Sequence, residues 1–304
     1  MSRLNWRSIT DFAKRKQWPL RLADRLGRGT GRLRLVDRFH DVPAAPKSPD
    51  LAGWENADLA AAWVGHATVL LRMGGLTILT NPVFSLRVGL GLGLLTAGPL
   101  RLQRPALAIK DLPPIDVILL SHAHFDHLDR PSLARLPKRS HVVTYKGVGD
   151  LVRDLKFASV TEMNWGDTHR IAGLAITGMP VQHWGARTFY DTHRGYGAFL
   201  LEADNKRVLY GADTAYQTRW QGTAAVDLAI LGIGAYNPYI AAHATPEQAM
   251  EMADHVKAER VMPIHHSTFK LSHEPMTEPL ERMLAASKEQ DRIVARQPGD
   301  VWRD

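Results

Sequence analysis

Between positions 121 and 129 the chain reads SHAHFDHLD, which places His122, His124, Asp126 and His127 within six residues. Imidazole nitrogens with a carboxylate oxygen make a borderline N/O donor set, the kind that zinc or a similar divalent ion takes. The alternative is a polar loop whose histidines cap a strand and hydrogen-bond the backbone. Four donors at H-x-H-x-D-H spacing favour the metal. In an extended segment, residues two apart point the same way, so His122 and His124 can face one point. Asp126 and His127 follow as the chain turns.

Something must hold that loop in place, and the apolar run 117–120 directly before it reads as a buried strand. Runs at 59–64, 68–73 and 76–80 predict three more strands, the last two joined by the Gly74-Gly75 turn. Further strands are predicted at 141–145, 176–183, 227–233 and 260–264, with a hairpin of 199–202 and 208–210 around Asp204-Asn205. Helices are predicted at 129–136, with Pro131 in the first turn, and at 148–155. Another begins at Thr245, an N-cap followed by Pro246 at the first helical position and Glu247 and Gln248 in the first turn.

Composition sets the outer bounds. At 304 residues, 45% hydrophobic and 23% charged, the chain has ample length for a buried core. It contains no cysteine, which excludes disulfides, thiolate ligands and a cysteine nucleophile and leaves His and carboxylates to bind metal. The net charge of +7 is concentrated at the start: residues 1–40 hold eleven Lys and Arg against Asp11, Asp24 and Asp37, so the remainder is close to neutral. No uninterrupted apolar core with a cleavage site marks a secretory signal, and no run reaches the ~18 to 20 apolar residues of a membrane span. A cytoplasmic protein, with possible peripheral membrane contact, is expected.

The motif and its surroundings resemble the metallo-β-lactamase fold hydrolases. WVGHATVLL from Trp63, ILTNPVFS from Ile78, PVQHW from Pro180, GADTAY from Gly211, GAYNP from Gly234 and PIHHSTFKL from Pro263 are similar to words of one branch, in that branch's order. It includes the N-acyl-phosphatidylethanolamine phospholipase D-like enzymes and the ascorbate-phosphate lactonases. The resemblance implies an α/β fold, the four-layer αββα metallo-β-lactamase sandwich, over residues 51–304, preceded by a basic extension over 1–50.

It further implies two divalent ions, zinc first and manganese or iron as alternatives. One would be held by His122, His124 and His183, the other by Asp126, His127 and His265, with Asp213 between them. A carboxylate leaving a strand end after glycine can bridge two cations, or else act as an Asx-turn acceptor. His265 is preferred to His266, which points the opposite way if the strand continues. His243, ahead of the Thr245 helix, corresponds to a histidine near the reacting phosphate and is expected to contact substrate or move a proton; Asp126 is the other expected catalytic group. His66 in the GHAT word reads as a supporting residue, and His169 as a surface one. Asn81 departs from the family pattern, which has aspartate before this proline; the amide keeps an acceptor oxygen but loses the charge that would support a metal-binding histidine.

Such a dinuclear site activates water for hydrolysis at neutral pH. The resemblance favours a phosphodiester of the N-acyl-phosphatidylethanolamine type, cleaved on the phospholipase D side. Alternatives are a sugar-phosphate lactonase, a nuclease, which the near-neutral body argues against, and a degenerate metal-binding protein. Residues 88–100, VGLGLGLLTAGPL, read either as an acyl-chain contact or as a loop folded on the core. The basic, aromatic-bearing residues 1–40 suit an anionic membrane surface, a nucleic-acid backbone, or packing over the body.

Overall fold

The computed structural model describes residues 41–92 and 95–304. The expectations for residues 1–40, membrane contact included, lie outside the described residues. Residues 41–50 run as coil against the body: Arg104 donates to the carbonyls of Val42 and Pro43, and Lys47 pairs with Asp300 at 2.6 Å.

Strands β1 (Leu59–Gly65), β2 (Thr68–Met73), β3 (Leu76–Thr80), β6 (Val117–Leu120), β7 (His141–Tyr145), β8 (Ser159–Met163) and β15 (Val301–Arg303) form a seven-stranded sheet in the order β15-β1-β2-β3-β6-β7-β8. The second sheet has six strands: β9 (Thr168–Ile171), β10 (Leu174–Met179), β11 (Ala198–Ala203), β12 (Lys206–Ala212), β13 (Leu228–Gly232) and β14 (Arg260–Ile264), ordered β14-β13-β12-β11-β10-β9. A small hairpin, β4 (Leu90–Leu92) with β5 (Leu95–Ala97), stands apart.

The two-residue period of the strands sorts their side chains into layers. In the second sheet Phe199, Leu201, Val208, Tyr210, Leu228, Ile230, Met262 and Ile264 join the large core shared with the first sheet. Their neighbours Ala198, Leu200, Leu209, Ala229, Leu231 and Val261 enter a second core with residues of helix α2 (Pro246–His255) and Met283 and Leu284 of helix α3 (Glu278–Ala286). On the other side, Leu133 of helix α1 (Arg130–Arg135) and Leu136, Leu151 and Val152 beyond it belong to the large core. Helix, sheet, sheet and helix are therefore stacked as the expected αββα sandwich.

Strand direction explains where a site can form. β1 and β3 are each antiparallel to β2, and β3 is parallel to β6, so β1, β3 and β6 all end at one edge. β10 and β12 are each antiparallel to β11, and β12, β13 and β14 are parallel, so these four also end together.

Two predicted elements differ. The stretch 148–155 is not an α-helix but two 3₁₀ turns, Gly149–Leu151 and Arg153–Leu155, with Val152 between them off helical geometry and Lys156 left-handed after them. The strand expected over 176–183 stops at Met179, because Pro180 follows and has no N–H for a ladder. Among the described residues no helix is long and apolar enough to cross a membrane.

Candidate metal centre

Four strand ends or the loops after them deliver the seven side chains. After β6, Ser121 leads into His122 and His124, and a tight turn closed by the His127 and Leu128 N–H groups on the His124 carbonyl presents Asp126 and His127. That turn is clamped by Arg187, whose Nη1 donates to the carbonyls of Ala123 and Leu128, both at 2.8 Å, while its guanidinium lies 4.0 Å from the Phe125 ring centre. Burial lowers the Arg187 pKa to about 10, which leaves it charged at neutral pH. His183 arrives on the loop after β10, Asp213 directly after β12, and His265 directly after β14.

These residues converge. His122 Nε2 and His183 Nε2 lie 2.9 and 3.3 Å from His124 Nδ1. Asp213 Oδ2 is 3.8 Å from His122 Nε2, 3.7 Å from His183 Nε2, 3.0 Å from His127 Nε2 and 3.4 Å from His265 Nε2. Asp126 Oδ2 is 3.5 Å from His127 Nε2 and 3.4 Å from His265 Nε2. Donors around a tetrahedral ion at bonds of ~2.0–2.2 Å are separated by ~3.3–3.6 Å, so this spacing suits ions and not only hydrogen bonds. His127 Nε2 and His265 Nε2 are buried and make no aligned hydrogen bond, despite the nearby carboxylates. Orphaned nitrogens aimed at carboxylate oxygens are what a cation between them would satisfy.

Electrostatics point the same way. Burial, then the neighbouring imidazoles, holds His122 well below the usual histidine range. Burial also lowers His183 strongly, and takes His124 and His243 to about 4 against the opposing pull of the carboxylates. Neutral imidazole is the form that binds metal. Burial pushes Asp126 and Asp213 up, but the surrounding histidines, His127 foremost, overcome it and hold both carboxyls well below their ordinary range. His265 rises to about 10: burial opposes its charge, and Asp213 and Asp126 more than offset that. Two buried carboxylates thus recruit a proton where no stronger cation is present.

The donors fall into two four-residue groups, His122, His124, His183 and Asp213, and His66, Asp126, His127 and His265, with a smaller group of Asp213, His243 and His265. All seven residues expected to bind metal are therefore brought together. His243 sits at the rim, its ring centre 5.1 Å from that of His183 and 5.3 Å from that of His265. His66, read from sequence as a support, donates from Nε2 to Asp126 Oδ2 at 2.9 Å and also stands close enough to count among the candidate ligands. His266 turns away and packs at 4.7 Å on Trp63, with Nδ1 2.8 Å from Ser267 Oγ. His169 lies on the edge strand β9, in none of the donor groups found among the described residues.

Sequence reasoning missed several residues that shape the centre. Arg187 gave no signal, because an arginine that clamps a distant turn has no local pattern. Trp184 stands in the PVQHW word and packs on the rings of His183 and His124 at 4.5 and 4.8 Å while 40% exposed. Its place beside a candidate ligand was the available clue. Tyr239 and Ile240, 49% and 53% exposed, sit on the loop whose Tyr239 carbonyl accepts from His243 N–H at 3.0 Å. His124, Asp126 and His243 are the partly exposed members of the cluster, and Trp184, packed on His124, is an exposed apolar side chain beside them.

Residues 77–266 match the family model described as the Beta-lactamase superfamily domain. An uncharacterized protein of Mycobacterium tuberculosis is 31% identical over 271 residues, covering 83% of this chain and 71% of that protein. The N-acyl-phosphatidylethanolamine-hydrolyzing phospholipase D 1 of Caenorhabditis elegans is 30% identical over 271 residues, 80% of this chain and 75% of its own length. Among solved structures, a metallo hydrolase of the archaeon Ignicoccus hospitalis superposes with a TM-score of 0.61 at 19% identity, over 80% of this chain and 97% of that one.

Proposed function

Because this chain belongs to the β-lactamase superfamily and is a metal-dependent hydrolase of the metallo-β-lactamase fold, we propose that it hydrolyses the phosphodiester of an N-acyl-phosphatidylethanolamine-like phospholipid. Water adds to phosphorus, the bond to the ethanolamine oxygen breaks, and the products are a phosphatidic acid and an N-acylethanolamine that leaves with a proton. The observation that carries the substrate class is exposed apolar surface beside the cluster: Trp184 packs on His124 and His183, and Tyr239 and Ile240 are exposed on the loop leading to His243. The similarity to the nematode phospholipase supports it. An acyl-bearing substrate gains from apolar surface at that position, whereas a sugar-phosphate lactone does not.

The β4–β5 hairpin starts beside the metal-binding turn. Val88 at its base packs with Val83 and Phe269, against which Phe125 of the metal-binding turn also lies, and Leu90 is 41% exposed. The basic residues 1–40 complete the proposal as an anchor on an anionic membrane.

His122, His124 and His183 would hold one ion, and Asp126, His127 and His265 the other, with Asp213 shared, zinc being the first choice for such donors. Divalent ions held there supply Lewis acidity toward a phosphoryl oxygen and lower the pKa of water at the site. The protein's own groups do the rest. Asp126, partly open to solvent and ionised, takes the proton of the attacking water, and its carboxylate is held in orientation by His66. His243 is neutral at pH 7, and its ring N–H hydrogen-bonds the phosphoryl oxygen at the rim.

The test is hydrolysis of N-acyl-phosphatidylethanolamine vesicles by zinc-loaded protein, with phosphatidic acid and N-acylethanolamine as measured products. Turnover should vanish in His122→Ala. Hydrolysis of a phosphorylated sugar lactone, with none of the phosphodiester, would overturn the substrate assignment.

A further inference from the structure

Behind the metal centre lies a contact that treats its two halves differently. Asn81, the first residue after β3, is completely buried with φ 35°. Its Oδ1 accepts from the Ser121 backbone N–H at 2.9 Å. Its Nδ2 lies 2.7 Å from Ser121 Oγ, 2.8 Å from the Tyr210 hydroxyl and 2.7 Å from His127 Nδ1.

The surroundings fix which end of the amide is which. A backbone N–H can only donate, so the atom facing Ser121 N must be the carbonyl oxygen. The Tyr210 hydroxyl donates to the Ala67 carbonyl at 2.8 Å, so it meets Asn81 as an acceptor. The amide NH₂ therefore faces His127; it has two hydrogens for three neighbours and no lone pair to accept with, so whichever two it serves, a hydrogen on His127 Nδ1 would meet no acceptor there, and the bare nitrogen is the form that fits. The single proton of the neutral ring is then on Nε2, the nitrogen 3.0 Å from Asp213 Oδ2 and directed into the cluster.

The other half is arranged in the opposite sense. His183 Nδ1 donates to the Ala242 carbonyl at 3.0 Å, which leaves its Nε2 lone pair for the cluster. His122 Nδ1 lies 2.8 Å from Ser121 Oγ, a hydroxyl able to accept a ring N–H, and its Nε2 faces the cluster 2.9 Å from His124 Nδ1. Metal-binding histidines need this pattern, with the outer nitrogen donating and the inner one bare.

We propose that Asn81 holds His127 in the tautomer protonated on Nε2 and so makes the centre asymmetric, with one ion bound tightly by His122, His124 and His183 and a second bound more weakly by Asp126, His127 and His265. The inference rests on the metal-centre reading given above. For His127 to bind an ion, the amide must turn over and set its NH₂ against the Ser121 N–H, orphaning a buried donor, or the ring must lose its last proton. Replacing the amide by a carboxylate removes the conflict, because one oxygen can accept from Ser121 N–H and the other from His127 Nδ1–H.

Two measurements test it. Nitrogen-15 NMR of histidine-labelled, metal-stripped protein should show His127 protonated on Nε2. Competition titration with zinc should give two steps whose affinities differ by about 10–100-fold, the size of a typical effect of a group supporting a metal ligand, and Asn81→Asp should bring the two steps together. A His127 proton on Nδ1, two equal steps in the unaltered protein, or an unchanged gap in Asn81→Asp would each overturn the asymmetry while leaving the metal centre intact. Absence of any zinc binding would overturn both. Should Asn81→Asp fail to fold, the tautomer and the two-step titration of the unaltered protein decide the matter.

Discussion

Asp213→Asn separates the metal centre from the stability of the fold. The substitution keeps shape and volume, so no cavity forms, and it removes one charge from a site whose oxygen stands 3.0 to 3.8 Å from four imidazoles. In the metal-free protein the main attraction lost is that with protonated His265, 3.4 Å away, worth ~5 kcal/mol at an effective dielectric of 20. Against this, a buried carboxylate no longer has to be desolvated, which recovers several kcal/mol. The two nearly cancel, and metal-free Asp213→Asn should melt within about 4 °C of the parent.

The loaded protein behaves differently. Zinc at about 1,000 times its dissociation constant stabilises by ~4.1 kcal/mol. A hundredfold loss of affinity cuts that to ~1.4 kcal/mol, and the difference of ~2.7 kcal/mol corresponds to roughly 5–10 °C in melting temperature for a chain of this size. Thermal melts with and without zinc, joined to elemental analysis after dialysis, read both effects. A variant that folds and keeps the full zinc-induced shift would refute the assignment of Asp213 between the two groups.

Three further outcomes follow from named contacts. His243→Ala should lower kcat by about 10²–10³-fold, the usual loss for one donor to a transition-state oxygen, with bound zinc unchanged; a rise in KM alone would reduce His243 to a binding residue. Gly234→Ala would place a methyl carbon 2.3 Å from the His265 carbonyl oxygen, so that backbone must move, and zinc bound per chain should fall toward one; retention of two would show that the His265 arm adjusts freely. Acid should weaken the metal-free fold, because His66, His124 and His243 are held by burial at about 3, 4 and 4 against ~6.5 in the unfolded chain. Depressed histidine values mean that the unfolded chain takes up protons first, so this stability is fully present above pH ~6.5 and is lost as the pH falls toward 4. The sum over three groups is ~5 kcal/mol between pH 6.5 and 5, and His265, raised to about 10, loses its own contribution only on the alkaline side. Urea midpoints that do not move over that interval would contradict the depressed values.

What the sequence made legible was local. Strands Leu76–Thr80, Val117–Leu120, His141–Tyr145 and Arg260–Ile264 coincide with their apolar runs, since a strand buried on both faces needs nothing more than such a run. The Thr245 cap is equally self-contained: Thr245 and Gln248 satisfy each other's backbone N–H groups in a capping box. By contrast, the edge strand Val301–Arg303 exists by pairing with β1, some 240 residues earlier, and has no pattern of its own. The seven candidate ligands were legible through family words, while the clamp by Arg187 and the contact of Asn81 with His127 depend on which chain ends meet, which spacing does not record.

The backbone at those ends shows why. His66, Asn81, Ala212 and His265 all have positive φ, at 53°, 35°, 50° and 64°, and each closes or directly follows a strand whose end points at the cluster. None is glycine, so each occupies a conformation that costs an L-residue about 1 kcal/mol or more, and it persists because the surroundings dictate it. At His265 the backbone N–H donates to the His66 carbonyl at 3.1 Å, so two of the left-handed residues, one from each sheet, hold one another. A left-handed residue at a strand end turns the next side chain out of the pleat, and four such turns at one edge convert parallel strand ends into inward-facing donors. The centre is thus a property of the packed sheets before any ion enters it, and the polarity of a single amide behind His127 is enough to make its two halves unequal.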